Sequence, residues 1–492
     1  MSLEWREQRA RRSGRARGVL LSAALLVGVG VAHVGPAEAA PTAASGTTQT
    51  YVVLAPDGQS SANAVSRVQA TGGTVVASYS QIGVVIARSD RADFATAVLG
   101  SGVESAAATT GLGSKVESPD EATVAVPDPT TVSEALWPLQ WDMRAIQVAE
   151  AHSVTIGSPN VVVGVLDSGI DAHHPDLATQ VDASLSASCL SGAPDTSFAS
   201  WQPTTSDHGT HVAGTIGAAR NGVGIVGVAP GVRLAAVKVV NDDGFIYPDA
   251  AVCGFMWAAT HGFEVTNNSY FIDPWEFNCR NDARQRPIWQ AVQRALRFAS
   301  SQGVLTVASA GNSQFDLQHR FVDAGSPDDG SGPVETRNIN NACLDLPAEA
   351  PGVVTVSATG PTGLTSFYSN YGLGVVEVAA PGGDSRVPGT EPNGRVLSAT
   401  FPGNGWGYKQ GTSMAGPHVA GVAALVFSQH PGMSPGAVTS VLERTADETA
   451  CPLGGTYTPP GAGVVPHVCY GSTQNNGFYG HGEVNAYQAV TG

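Results

Sequence analysis

Three short strings, far apart in the chain, supply a carboxylate, an imidazole and a hydroxyl: Val165-Leu-Asp167-Ser-Gly-Ile-Asp171, Asp207-His208-Gly-Thr-His211-Val-Ala-Gly214 and Gly411-Thr-Ser413-Met-Ala-Gly-Pro-His418. A serine hydroxyl is a weak nucleophile at neutral pH. It attacks an acyl carbon when an imidazole takes its proton, and a carboxylate orients that imidazole and stabilises its cation. Asp167, His208 and Ser413 therefore read as a hydrolytic triad. Plainer readings stand beside each. Ser413 alone, ahead of a helical pattern, reads as an N-cap. His208 and His211 have a His-x-x-His spacing, but the metalloprotease string His-Glu-x-x-His is absent. Asp171 competes with Asp167, and local structure is the expectation for both Asp171 and His211.

The elements that must position these groups follow from the apolar pattern. From Leu136 onward, short apolar runs alternate with helical periodicity, which predicts an α/β domain with a mostly parallel, buried sheet. Candidate strands are 161–166, 234–240, 264–267, 305–309, 353–356 and 375–379, and candidate helices are 210–219, 249–260, 289–301, 414–429 and 435–444. Asp167, Ser269 and Asn312 each fall just past a candidate strand. In open α/β sheets the carboxyl ends of the strands form the ligand crevice, so these residues converge on one edge. Ser413 begins a helix whose free N–H groups face developing negative charge. Pro417 is expected within that helix's opening turn, where an amide has no intrahelical acceptor.

The three strings, with their flanks, resemble the subtilisin-like serine protease family, over roughly residues 137–490. The resemblance implies a three-layer domain with Asp167 as the orienting acid, His208 as the general base and Ser413 as the nucleophile. It makes Asn312, in Ala308-Ser-Ala-Gly311-Asn312, a side-chain donor to the oxyanion, with the backbone N–H of Ser413 as the other; an asparagine after glycine is otherwise a common turn residue. Ser269, Tyr270, Phe271 and Gly311 fall on the substrate-lining segments. Where the family usually has Ser-x-Gly, this chain reads Ser269-Tyr270-Phe271, so the family's taste for large apolar side chains is not carried over. No catalytic cofactor is implied, but a structural calcium is: Asp176 and Asn221 through side chains, and Ala219, Val223 and Ile225 through carbonyls, a donor set suited to a hard cation. The family's N-terminal side-chain ligand has no counterpart here.

Ahead of that domain, residues 51–109 alternate strand-like and helical runs, the pattern of a small α+β unit. Its place resembles the inhibitory propeptide of the same family; an unrelated accessory domain is the alternative. The expected organisation is a secretory signal over 1–39, a propeptide over 40–110, a Pro-, Asp- and Thr-rich linker with the processing site over 111–135, and the peptidase domain over 136–492. The signal reading rests on arginines from Arg6 to Arg17, an apolar run from Val19 to Ala32 and Ala37-Glu-Ala39. That run is short for a membrane span of about 20 residues. The net charge of −16 argues against a nucleic-acid partner, since phosphate binding needs clustered Lys and Arg. Six cysteines in an exported chain point to disulfides. Fifteen pairings are open to them, and only Cys451 with Cys469, around a Gly/Pro-rich loop, has a local argument. The insertion from Gln314 to Cys343 reads as a surface loop by default, or as a border of the cleft. Asn267-Asn268-Ser269 fits a glycosylation sequon at a buried sheet edge, where modification is not expected.

The expectation is thus a secreted, monomeric endopeptidase acting on proteins or peptides, held in check by its own propeptide. An exported binding protein without turnover and a protease dedicated to one partner are the alternatives.

Overall fold

The computed structural model describes residues 45–109, 135–327, 334–387 and 393–492. The expected signal segment and nearly all of the expected linker lie outside the described residues. Between Ser45 and Ala108 the chain forms β1 (Ser45–Leu54), α1 (Ala62–Ala70), β2 (Thr74–Tyr79), β3 (Val84–Arg91), α2 (Phe94–Ala97) and β4 (Ser105–Ala108), an antiparallel sheet in the order β2-β3-β1-β4. The run Tyr51-Val-Val-Leu54 is apolar at every position because both faces of its strand are covered. Tyr51, Val53, Val85 and Ala87 pack under Ala64, Val68 and Phe94 of the two helices. Val52, Leu54, Val84 and Ile86 turn the other way and join the core of the larger domain.

That domain is built on β5 (Val162–Asp167), β6 (Ala187–Ser188), α3 (His208–Gly217), β7 (Arg233–Lys238), α4 (Pro248–Thr260), β8 (Val265–Asn268), α5 (Arg286–Ser301), β9 (Leu305–Ser309), β10 (Val353–Thr359), β11 (Val378–Pro381), α6 (Thr412–Gln429) and α7 (Pro435–Arg444). Its seven-stranded sheet runs β11-β10-β9-β8-β5-β7-β6, with parallel pairing throughout. The period of two along each strand divides the side chains between two helical layers. Val163 and Val165 face the layer of α3, α6 and α7, while Val162 and Leu166 face α4 and α5. This is the expected three-layer α/β architecture. The helix α6 is buried from Thr412 to Phe427, consistent with its high content of alanine and glycine.

Three details differ from the sequence reading. The last strand begins at Val378, not Val375, because the amides of Val375 and Val376 both close a turn onto the Gly372 carbonyl. Pro417 is the sixth residue of α6 rather than part of its opening turn, with a consequence for the site described below. The insertion after Gln314 is more than a surface loop: Leu317, Ile339 and Cys343 form a small core with Phe277 and Cys279. The cysteines pair as Cys189–Cys253, Cys279–Cys343 and Cys451–Cys469, so the one locally argued pair is present.

Candidate active site

Asp167 is the last residue of β5 and is fully buried. Its carboxylate accepts the Ser168 amide at 2.7 Å, and both of its oxygens lie 2.9 Å from His208 Nδ1. With Nδ1 as the donor to a carboxylate, Nε2 is the nitrogen left to accept a proton. His208 opens α3, so its backbone is fixed by the helix and its ring by Asp167. His211, three residues on, is sealed in the same helix with Nε2 3.2 Å from the Gly407 carbonyl; burial, then Lys409 and His208, holds its imidazole well below the ordinary value. Asp171 accepts the His173 amide at 2.9 Å within a turn. Both contacts are those of local structure.

Ser413 is the second residue of α6. The residue before the helix, Gly411, has φ +152° and ψ 161°, a region essentially closed to residues with a Cβ. That bend brings Thr412 against Asn312, whose Oδ1 accepts both the Thr412 amide and the Thr412 hydroxyl at 2.9 Å. With its carbonyl end held by two donors, Asn312 keeps its NH2 group for another acceptor. Gly311 is tied in as well, donating its amide to the Thr412 hydroxyl at 3.1 Å.

Pro417 explains the role of Ser269. In a regular helix the amide of residue 417 would bond to the carbonyl of Ser413, four residues earlier, and proline has no N–H to offer. The orphaned carbonyl is taken by the Ser269 hydroxyl at 3.0 Å, while the Ser413 hydroxyl donates to the Ser269 carbonyl at 3.4 Å. Asn267 Nδ2 in turn donates to Ser269 Oγ at 2.9 Å. The nucleophile candidate is thereby stitched to the end of β8. Tyr270 donates its hydroxyl to Asn268 Oδ1 at 2.9 Å, and burial, then the nearby Asp167, pushes its phenol well above the ordinary value. Phe271 is half-buried beyond it. Asn267 itself is fully buried, so the sequon is closed to modification.

The expected calcium set does not fit the donors found. Asp176 Oδ2 accepts the Trp406 indole N–H at 2.7 Å and the Ile225 amide at 3.0 Å. Asn221 turns its NH2 end inward, donating to the Pro175 carbonyl at 3.0 Å and reaching Asp176 Oδ1 at 3.5 Å. Its oxygen faces the other way and accepts the Val223 amide at 2.9 Å. Flipping the amide would break all three of these bonds, so the orientation is fixed by its partners. A hard cation needs oxygens presented inward, and here N–H groups occupy the two side chains that should supply them. Carbonyls of Ala219, Val223 and Ile225 alone are a poor cage for a doubly charged ion. Among the described residues, no group of three or more His, Cys, Asp or Glu side chains is placed to hold a metal.

The structure brings these residues together as two bonded groups at strand ends and helix starts: Asp167 with His208, and Ser413 and Thr412 with Ser269, Gly311 and Asn312, Tyr270 and Phe271 following Ser269. Sequence reasoning missed Thr412, which orients Asn312, although it sits inside the Gly411-Thr-Ser413 string. It also missed Trp406, which the indole bond to Asp176 alone reveals.

The model for the subtilase family matches residues 158–482, and the chain belongs to that family. Fervidolysin from Fervidobacterium pennivorans is 32% identical over 325 residues, covering 62% of this chain and 40% of fervidolysin. Subtilisin BL from Lederbergia lenta is 31% identical over 309 residues, covering 62% of this chain and 90% of that protein. The chain therefore matches less than half of fervidolysin's length but most of subtilisin BL. Among solved structures, the epidermin leader peptide processing serine protease from Staphylococcus aureus shares the fold, with a TM-score of 0.67 at 21% identity over 90% of this chain and 98% of that one.

Proposed function

We propose that this chain is a secreted serine endopeptidase, made as a precursor, that cleaves peptide bonds through an acyl-enzyme on Ser413. His208 Nε2 takes the Ser413 proton as Oγ attacks the carbonyl carbon, then passes it to the departing amine; in the second half it takes a proton from water, which attacks the ester and returns Ser413. Asp167 holds the imidazole in the required tautomer. The Asn312 NH2 and the Ser413 amide receive the oxyanion, and loss of one such donor costs about 2.7–4 kcal/mol in the transition state. No step calls for a cofactor. The observation that carries the reading is the pair of fixed orientations: His208 Nδ1 against both Asp167 oxygens, and Asn312 held by Thr412 with its NH2 end turned away.

In the precursor, residues 45–109 serve as the inhibitory and folding-assisting propeptide. In support, the apolar face of its sheet packs on α4 and α5, and Arg294 of α5 donates to the Ala55 carbonyl at 2.8 Å and to Glu104 at 3.0 Å. No helix among the described residues is long and apolar enough to cross a membrane, and the disulfides fit an oxidising compartment. The mature enzyme works as a monomer on protein or peptide substrates. Expressing the full chain beside Ser413→Ala and following release of the segment before Leu136 tests the whole reading. The parent should shed the segment and the variant keep it. Identical processing in both would remove self-maturation.

A further inference from the structure

The segment that follows Ser269-Tyr-Phe271 does not end at the sheet edge. Ile272 donates its amide to the Leu346 carbonyl at 2.7 Å, which lays residues 345–346 alongside the substrate-lining strand. On the opposite side stands Gly311, next to the oxyanion donor Asn312. A Cβ placed on Gly311 would lie 3.5 Å from Asp345 Oδ2. That Cβ would first meet the Asn370 amide, so Asp345 lies behind Gly311 near Asn370, and its neighbour Leu346 is bonded to Ile272 just past Ser269-Tyr-Phe271.

Asp345 is 2% exposed, and its Oδ1 has no hydrogen-bond partner among the described residues. A buried carboxylate oxygen without a donor costs free energy, so a partner that arrives from outside is the economical explanation. The neighbouring cation does not fill that role. Arg320 forms a two-toothed pair with Glu349 and also donates to the carbonyls of Leu317 and Cys343. The other neighbours are acidic: Asp273, itself buried, Glu276 and Glu349. Burial, then Glu349, Glu276 and Asp273, holds the Asp345 carboxyl well above the ordinary carboxylate value, with Arg320 opposing. The carboxylates do not converge tightly enough to hold a metal. A cationic side chain, carried in by the substrate, satisfies the charge and the geometry together.

We propose that Asp345 forms the floor of the pocket for the residue on the acyl side of the scissile bond, and that it selects arginine or lysine there. The inference rests on the endopeptidase reading above and names its substrate class. Phe271, half-buried where the family usually has glycine, adds bulk to the wall of that pocket.

The test uses enzyme matured from the full chain and peptide amides that differ only in the residue before the scissile bond: Arg, Lys, Leu, Phe and Glu. Arg and Lys should exceed Leu and Phe in kcat/KM by about 100-fold, the scale of a buried charge pair. Asp345→Asn should lose about 100-fold on Arg and Lys while Leu and Phe stay within a few-fold. A parent that prefers Leu or Phe, or a variant that loses activity equally on all five, overturns the proposal. Hydrolysis of none of them overturns the endopeptidase reading, and this proposal with it. A measurement free of mutation guards against misfolding of the variant: benzamidine should protect Ser413 of the parent from a covalent serine reagent, and uncharged benzamide should not. Equal protection by both would count against Asp345 as the selecting group.

Discussion

The donors around Asp176 make a sharp prediction about calcium. Were a cation bound at this loop with micromolar affinity, millimolar calcium would stabilise the fold by RT ln(1 + [L]/Kd), about 4 kcal/mol, and chelation would remove it. Instead the Trp406 indole and the Ile225 amide hold Oδ2, so EDTA should leave the melting temperature of the Ser413→Ala protein unchanged within a degree or so. The stabilisation should reside in Trp406. Trp406→Phe keeps most of the ring's packing against Leu136, Ile225 and Leu397 but deletes the N–H. A hydrogen bond to a buried charged group is worth about 1.5–3 kcal/mol, and a chain of this size loses roughly 1 °C per kcal/mol, so the variant should melt about 1.5–3 °C lower. Asp176→Asn, measured alone and with Trp406→Phe, completes a double-mutant cycle, and the two losses should be less than additive. The assay is differential scanning calorimetry with and without 1 mM calcium. A drop of several degrees on chelation in the parent, or a Trp406→Phe protein rescued by calcium, would refute the reasoning.

Two more predictions follow from buried groups. Burial pushes Glu377 up to about 7, above its ordinary 4.5, against the stabilising Thr355 amide at 2.7 Å. Its contribution is fully present below pH 4.5 and is lost as pH rises through 7. His467, stacked on Tyr371, is held by burial down at about 4 from 6.5, so its contribution is present above pH 6.5 and is lost as pH falls through 4. Each slope approaches about 1.4 kcal/mol per pH unit, and the two oppose each other between pH 4.5 and 6.5. In a Ser413→Ala background, Glu377→Gln should make urea stability fall steeply on acidification across that window. An unchanged pH profile would contradict the assignment. At the N-terminal unit, Arg294→Met removes a buried charge from its bonds to Ala55 and Glu104. Loss of one partner of such a pair costs 2 kcal/mol or more, so amide exchange at Val52, Leu54 and Ile86 should quicken by at least about 30-fold, and unchanged rates would show that docking does not depend on Arg294.

What the sequence made legible, and what it hid, divides along the range of the forces involved. The strands of the parallel sheet could be read directly because helices cover both faces, which forces continuous runs such as Val162–Leu166. Asp167, Ser269 and Asn312 could be placed at one edge from strand ends alone. The start of the last strand was misplaced by three residues because the Gly372 turn consumes amides that an apolar pattern reads as strand. Pro417 was assigned to the wrong turn, since periodicity does not say which residue is first in α6. Trp406 stayed hidden because its partner Asp176 lies 230 residues away, and no local pattern marks an indole as the substitute for a metal ion. Asp345 was hidden for the same reason, two residues past an insertion that composition alone assigns to the surface.

Under the proposed function, reactivity and selectivity come from different parts of the chain. The proposed triad residues and Asn312 stand on short strings at the ends of buried strands or at the start of a buried helix, where the backbone fixes them and little room for variation remains. Asp345 is held differently. The Cys279–Cys343 disulfide joins directly paired residues of two short strands two positions before it, Arg320 clamps Glu349 four positions after it, and Ile272 ties its neighbour Leu346 to the substrate-lining segment. The insertion is thus a stapled frame around one carboxylate. Because these bonds tie the frame to the segment after Phe271, changes in that frame should move the choice of substrate while leaving proton transfer at the proposed nucleophile Ser413 intact. Changes at Thr412 or Ser269 should do the reverse.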